Sequence, residues 1–268
     1  MYKAIFIDID GTLRDNKRNI SKRTISAIKR VTEKGILVVI CSGRPRQYTE
    51  DISKECYASR YIITSNGGNI YDYKENKIMY VNSMDKQACL ELYEIANQVD
   101  ARFIMNVGAN RVVSKLKYFD GSEVELKTDI KTFINENDIA QCIIADEDFE
   151  KIKNLKTAIE KIENVEIKNQ HKSLVDRNTP KEGTIYYDIA NIDSCKGNAV
   201  VKLCHMLDID LKDAVAIGDD YNDISMFKVV GHSVAMGNAN YDVKQYVDEI
   251  TLSNEEEGVA VFLEKLLK

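Results

Sequence analysis

The chain has 268 residues, enough for two compact units that each bury a core. Hydrophobic residues make up 44% and charged residues 30%, the balance of an ordinary soluble protein. The formal net charge of −6 argues against nucleic acid, whose phosphates demand clustered Lys and Arg, but leaves room for a phosphorylated small molecule beside a bound cation.

The six cysteines, Cys41, Cys56, Cys89, Cys142, Cys195 and Cys204, form no CxxC pair, and only three histidines accompany them. A zinc site is therefore unsupported, and reduced, buried thiols of a cytoplasmic protein are expected. The opening MYKAIFIDIDGTL meets an acidic residue too early for a secretory signal. No apolar stretch approaches the roughly 20 residues of a membrane span, so no membrane is expected as partner.

In chain order, Ala4 to Ile9 reads as a buried strand. Ser21 to Lys34 reads as a helix, with Ser21 as cap, Ile25, Ile28 and Val31 at helical spacing, and Gly35 as its stop. Ile36 to Cys41 and Tyr61 to Thr64 are further strands, ended by Ser42-Gly43-Arg44-Pro45 and Ser65-Asn66-Gly67-Gly68. Strands alternating with a helix predict a parallel, doubly wound sheet.

The middle differs. A helix over Asp85 to Val99 precedes paired strands at Arg102 to Val107 and Arg111 to Leu116, around a Gly-Ala-Asn turn. Ala140 to Ala145 is another strand. Phe149 to Ile162 carries Phe149, Ile152, Leu155, Ile159 and Ile162 on one helical face, and strands follow at Val165 to Lys168 and Thr184 to Ala190. The first pattern then returns, with a helix at Ser194 to Leu207, strands at Ala214 to Ile217 and Ser233 to Met236, and an amphipathic helix at Val259 to Leu267. The expected fold is an α/β, Rossmann-like, doubly wound parallel-sheet core, residues 1–82 and 189–268, interrupted by an α+β unit over 83–188.

Ligands of open α/β sheets bind beyond the carboxyl ends of the strands, and this sequence puts its unusual residues there. The tips are Asp8-Ile9-Asp10-Gly11-Thr12, Ser42-Gly43-Arg44, Ser65-Asn66-Gly67, and Gly218-Asp219-Asp220 followed by Asn222-Asp223. Asp8 and Asp10, two apart on a strand, can point the same way. If Asp219 joins them, carboxylates about 4 Å apart repel by roughly 4 kcal/mol at an effective dielectric of about 20. Such a cluster holds a proton or a cation, and oxygen ligands with room for water suit Mg²⁺. Any one of these aspartates alone would more often cap a turn, and the glycines serve as turn residues as well.

These motifs together resemble the haloacid dehalogenase superfamily, and within it the Cof-type sugar-phosphatase-like branch. The matching stretches are Asp8-Ile9-Asp10-Gly11-Thr12-Leu13, Ser42-Gly43-Arg44-Pro45, Lys196-Gly197 and Gly218-Asp219-Asp220-Tyr221-Asn222-Asp223, with Ser65-Asn66-Gly67-Gly68 also similar. The first and last are highly specific; the middle two are weak alone. The resemblance implies that the inserted unit is a cap setting specificity. It implies that Asp8 attacks phosphorus to form an aspartyl phosphate and that Asp10 is the acid and base. It assigns Mg²⁺ to Asp8, the Asp10 backbone carbonyl and Asp219, with Asp223 supporting the metal site. It assigns phosphoryl oxygens to Ser42, Gly43, Asn66, Lys196 and Asn222. One departure is that Arg14 and Asp15 follow Leu13 where many members have an apolar residue. A solvated turn is expected there, with a cleft-facing role as the alternative.

The expected function is hydrolysis of small phosphorylated metabolites, by a monomer or homodimer. A phosphomutase or a sugar-phosphate-specific phosphatase with the same nucleophile is the nearest alternative. A phospho-acceptor or phosphate-ligand binding protein is the non-enzyme alternative. Asn106, Asn110, Arg111, Arg177 and Asn178 form no motif and are expected in surface turns. His171, His205 and His232 have no catalytic partner pattern.

Overall fold

The structure, a computed structural model, describes residues 2–114, 123–172 and 183–268. The chain begins with β1 (Ala4–Ile7), α1 (Lys22–Glu33), β2 (Leu37–Cys41), α2 (Arg46–Glu55), β3 (Tyr61–Thr64), β4 (Asn69–Asp72) and β5 (Lys77–Val81). The middle holds α3 (Lys86–Gln98), β6 (Arg102–Val107), β7 (Asn110–Val113), β8 (Glu123–Glu125), α4 (Ile130–Glu136), β9 (Ile139–Asp146), α5 (Phe149–Ile159), β10 (Val165–Lys172) and β11 (Ile185–Asn191). The last part supplies α6 (Lys196–Met206), β12 (Ala214–Gly218), α7 (Ile224–Phe227), β13 (His232–Ala235), α8 (Tyr241–Lys244), β14 (Glu249–Ile250) and α9 (Gly258–Leu266).

Two compact units result, Met1–Tyr80 with Cys195–Lys268, and Val81–Ser194. The sequence-based division at 188/189 falls inside β11, a continuous strand that belongs wholly to the second unit. No change of composition marks the strand's end, so apolar patterning alone set that boundary too early.

The first unit is an eight-stranded sheet ordered β14-β13-β12-β1-β2-β3-β4-β5. It is parallel from β14 through β3, and β4 turns back antiparallel to β3. In β1, Ile5 and Ile7 face α1 and α9, while Ala4 and Phe6 face α6. A strand covered on both faces reads as a continuous apolar run, and its side chains alternate between two cores. α1 starts where expected, with Ser21 Oγ accepting the Thr24 backbone N–H at 3.0 Å. Its face of Ala27, Ile28 and Val31 is buried.

The second unit is a six-stranded sheet ordered β10-β11-β9-β6-β7-β8, antiparallel except where β7 meets β8. Phe103, Met105, Cys142 and Ile144 pack with Cys89 and Leu92 of α3 and Ile152 and Leu155 of α5. Phe149 departs from expectation. It stands 51% exposed at the first position of α5, one turn before the buried stripe of Ile152, Leu155 and Ile159 begins.

The polar residues of this unit also differ from expectation. Asn106 and Arg111 lie in strands rather than surface turns. Asn106 is buried and donates to Gln141 Oε1 at 2.7 Å, while Arg111 and Arg102 both pair with the fully buried Glu123. The register explains the grouping, since Asn106 faces Arg111 and Gln141, and Arg111 faces Glu123. Asn110 is exposed but opens β7 rather than sitting in a turn; Arg177, Asn178 and Leu116 lie outside the described residues. No helix among the described residues is long and apolar enough to cross a membrane.

Candidate active site

Four parallel strands of the first unit end side by side, and their tips carry the site. Asp8 follows β1 directly, and its backbone N–H donates to Ile217 O of β12 at 3.1 Å, which ties the first tip to the last. Gly218 closes β12 and Asp219 follows. Between them, Lys196 enters from the first turn of α6, capped by Cys195 Sγ accepting from Asn198 N–H at 3.4 Å.

Lys196 is fully buried, and its Nζ donates to both Asp8 Oδ1 and Asp223 Oδ1, the latter at 2.6 Å. A buried ammonium survives only with such partners. Burial alone would lower its pKa, but Asp223 and Asp8 overcome that and hold the charge well above the ordinary lysine range. Burial pushes the Asp8 carboxyl well above the usual carboxylate range; Lys196 opposes the shift, and Asp223 and Asp219 reinforce it. Burial also lifts Asp219 to about 7, against the hydrogen bond from Thr12 and with the help of nearby Asp223.

Asp8, Asp219 and Asp223 each bring a carboxylate oxygen within 4.8 Å of the others. Their hydrogen bonds divide the labour. Asp223 spends Oδ1 on Lys196 and Oδ2 on the backbone N–H groups of Asp219 and Asp220, at 3.0 and 3.1 Å. Asp219 Oδ1 accepts from Thr12 Oγ1 at 2.6 Å. Among the described residues no hydrogen bond reaches Asp8 Oδ2 or Asp219 Oδ2. These two hard oxygens, in a cluster whose acids outnumber its one lysine, fit a divalent cation that prefers oxygen donors.

The loops close tightly around the cluster. Gly11 has φ +83° and a Cβ there would stand 2.2 Å from Asp219 Oδ2, so only glycine lets the first tip approach the last. Gly67, φ +91°, lies against the Cys195 carbonyl at the start of α6. Asn66 adopts a left-handed conformation (φ 52°), donates its backbone N–H to Ser42 O at 3.2 Å, and accepts from Asn222 Nδ2 at 3.1 Å. Gly43 packs against the Asn66 amide, where a Cβ would stand 2.9 Å from Oδ1. Ser42 Oγ accepts the Arg44 N–H at 3.2 Å, so its own proton remains free to donate.

Thus Asp8, Asp219, Asp223 and Lys196 form one cluster, and Ser42, Gly43, Asn66 and Asn222 form a polar rim from the neighbouring tips. The Asp10 side chain stands apart. It is half-exposed, and its Oδ2 accepts from Arg44 Nε at 2.9 Å. The metal contact expected of Asp10 is its backbone carbonyl, and its carboxylate is not among the clustered oxygens.

Sequence reasoning passed over Thr12 and Asn238. Thr12 lies inside the first motif and orients Asp219. Asn238 donates to the Gly11 carbonyl at 2.8 Å and accepts the Asn254 N–H at 2.9 Å, which steadies the glycine turn. It follows β13, a further strand tip to which the same rule about carboxyl ends applied. Arg14 is a second correction. Asp15 does form a turn, accepting from Asn19 N–H at 2.7 Å, but Arg14 packs on Tyr48 with its side chain only 16% exposed.

Fold and site together define an acid-tipped α/β hydrolase, and comparison with known proteins agrees. Residues 5–263 match the haloacid dehalogenase-like hydrolases, and the chain belongs to this family. It is similar to phosphatase YwpJ of Bacillus subtilis, 28% identical over 99% of this chain and 100% of that protein. It is 30% identical to the 5-amino-6-(5-phospho-D-ribitylamino)uracil phosphatase YwtE of the same organism, over 99% of this chain and 98% of that one. Among solved structures, a haloacid dehalogenase-like hydrolase from Bacteroides thetaiotaomicron superposes with a TM-score of 0.78 at 28% identity, covering 99% of this chain and 100% of that one. TM0651 from Thermotoga maritima shares the fold, with a TM-score of 0.82 at 22% identity, covering 99% of this chain and 97% of that one. The chain is accordingly an enzyme of the phosphoric monoester hydrolase class.

Proposed function

We propose that this enzyme is a Mg²⁺-dependent phosphatase of small phosphorylated metabolites that works through an aspartyl phosphate on Asp8. The observation that carries the reading is the buried Lys196 ammonium bridging Asp8 and Asp223, with Asp219 alongside and one Asp8 oxygen left without a partner among the described residues.

A carboxylate oxygen of Asp8 attacks phosphorus, the ester P–O bond breaks, and the departing alkoxide takes a proton from Asp10. The Asp10 carboxylate then takes a proton from water, whose oxygen attacks phosphorus; the acyl-phosphate P–O bond breaks, releasing inorganic phosphate and restoring Asp8. Lys196 holds Asp8 in place and keeps a fixed positive charge beside the equatorial oxygens, where negative charge spreads during transfer. The Ser42 hydroxyl, the Gly43 N–H and the amides of Asn66 and Asn222 grip those oxygens. Asp8, Asp219 and the Asp10 carbonyl hold Mg²⁺, which when bound neutralises charge on the phosphoryl group. Asp223 supports that site by fixing Lys196 and the 219–220 backbone.

The substrate class follows from two supports. The site recognises phosphate and metal through generic contacts, and relatives include phosphatases named for a phosphorylated ribityl compound and for sugars. A phosphorylated sugar or polyol-bearing metabolite is the class proposed, with the inserted unit setting the preference. All six cysteines are free, which supports work in the reducing cytoplasm.

Phosphate release from a panel of phosphorylated sugars, polyols, nucleotides and cofactors tests this reading, each with Mg²⁺ and with EDTA. Release that requires Mg²⁺ is expected, strongest for sugar or polyol phosphates. A folded, Mg²⁺-binding protein that releases phosphate from none of them would contradict it.

A further inference from the structure

Arg14, where the sequence leaves the pattern of its family, takes part in a closed circuit of contacts around Asp10. Arg14 Nη1 donates to Tyr48 Oη at 2.5 Å, and the guanidinium carbon lies 5.2 Å from the Tyr48 ring centroid. The Arg44 guanidinium carbon lies 5.4 Å from the same centroid, and Arg44 Nε donates to Asp10 Oδ2. The circuit closes through the backbone, since Asp10 and Arg14 form a β-bridge and Arg14 N–H donates to Ile9 O at 3.1 Å.

Each member is anchored independently. Tyr48 sits in the first turn of α2, and Glu55 at the end of that helix lies 3.9 Å from the Arg14 guanidinium. Arg44 donates its N–H to Ser42 Oγ and accepts the Ser65 N–H at 3.1 Å, so its backbone is fixed on both sides. Asn254 Nδ2 donates to the Arg14 carbonyl at 3.0 Å. Two guanidiniums share one aromatic ring because each is also paired, one with Asp10 and the other with Glu55. A half-exposed ion pair adds little stability in water. A pair held by an anchored stack instead restricts where the carboxylate can be, and the Arg44 bond occupies one Asp10 oxygen while directing the other.

We propose that Arg14, Tyr48 and Arg44 form a relay that fixes the Asp10 carboxylate, making Arg44 and Tyr48 positioning residues for the acid and base steps. This rests on the reading of Asp10 as acid and base. Without the relay Asp10 keeps its chemistry but loses its placement, and a displacement of about 1 Å costs a catalytic group up to about 10²-fold in rate.

Single-turnover quench measurements with Mg²⁺ test the relay on two substrates, glycerol phosphate, whose alkoxide needs a proton, and 4-nitrophenyl phosphate, whose phenolate needs little help to leave. Arg44→Ala and Tyr48→Leu are expected to slow glycerol phosphate turnover and phospho-enzyme breakdown by about 10- to 100-fold. Phospho-enzyme formation from 4-nitrophenyl phosphate should change little. Arg44→Lys should recover part of the loss, and Tyr48→Phe, which keeps the ring, should lose less than Tyr48→Leu. In the Asp10→Asn background, Arg44→Ala should have no further effect. Melting curves establish that each variant is folded. Wild-type breakdown in folded Arg44→Ala and Arg44→Lys, or an Arg44→Ala loss that persists in full beside Asp10→Asn, would overturn the relay. Should Asp10→Asn alone leave breakdown unchanged, the acid and base reading of Asp10 falls and the relay with it, and that single variant identifies this failure.

Discussion

Both units bury charge, but they do so in different places. In the first unit Lys196, Asp8 and Asp223 meet beyond the carboxyl ends of parallel strands, on loops held by Gly11 and Gly67. In the second, Arg102, Arg111 and Glu123 meet on β6, β7 and the edge strand β8, fixed by strand register rather than by turns. Strand tips leave carboxylate oxygens open to a ligand, as with Asp8 Oδ2 and Asp219 Oδ2. An ion pair between strands aligns its members along the sheet. The first arrangement is therefore read as chemistry and the second as the fixing of a fold.

Lys196→Met should break the first cluster most severely. It leaves Asp8 and Asp223 buried without their cation, so turnover is expected to fall by roughly 10²- to 10³-fold, with a loss of about 3–5 kcal/mol in stability. Steady-state kinetics and urea unfolding on the same preparation measure both. Arg102→Met should separate the regions. Glu123 loses one of two arginine partners, and unfolding stability should drop by about 3 kcal/mol, with turnover per folded molecule little changed. A large loss of turnover with intact stability would move the second cluster into the substrate-handling part of the enzyme.

The core fold and the acidic tips were legible because their signals are local. Asp8, Asp10 and Gly11 are near neighbours in sequence, and Gly218 to Asp223 follow a short apolar strand. Alternation between two cores made β1 and β12 visible as apolar runs. The second cluster was not legible, since Arg102, Arg111 and Glu123 come together only through strand pairing that no short motif encodes. The Arg44 bond to Asp10 was missed for the same reason, as two tips meet 34 positions apart. α2 escaped notice because it buries Thr49, Ile52 and Ser53, of which only Ile52 is apolar, so no apolar stripe marks it; β4 is only four residues long and mixes polar with apolar ones.

Proton and metal should compete in the first cluster alone. Burial raises Asp219 from 3.8 to about 7, so the folded protein binds more protons than the unfolded chain across that window. Its contribution to stability is therefore greatest at acid pH and is lost as pH rises toward 7. A cation replaces the proton and restores it. The gap in melting temperature between Mg²⁺ and EDTA should then be small near pH 5 and widen toward pH 8. A gap independent of pH would separate metal binding from these carboxylates.

The smallest effect lies far from either cluster. Ser21→Ala removes the cap of α1 and should cost about 1 kcal/mol with unchanged turnover, read from the melting temperature. A change in activity would show that α1 bears on the strand tips.

The account turns on Asp8. Mass spectrometry of acid-quenched Asp10→Asn enzyme, mixed with Mg²⁺ and a phosphorylated substrate, measures this directly, because the variant should form the phospho-enzyme and break it down slowly. A phosphoryl group on the peptide that carries Asp8, absent from Asp8→Asn, is the result expected. Turnover by the folded enzyme with no adduct at Asp8, or with the adduct on another residue, would contradict the account.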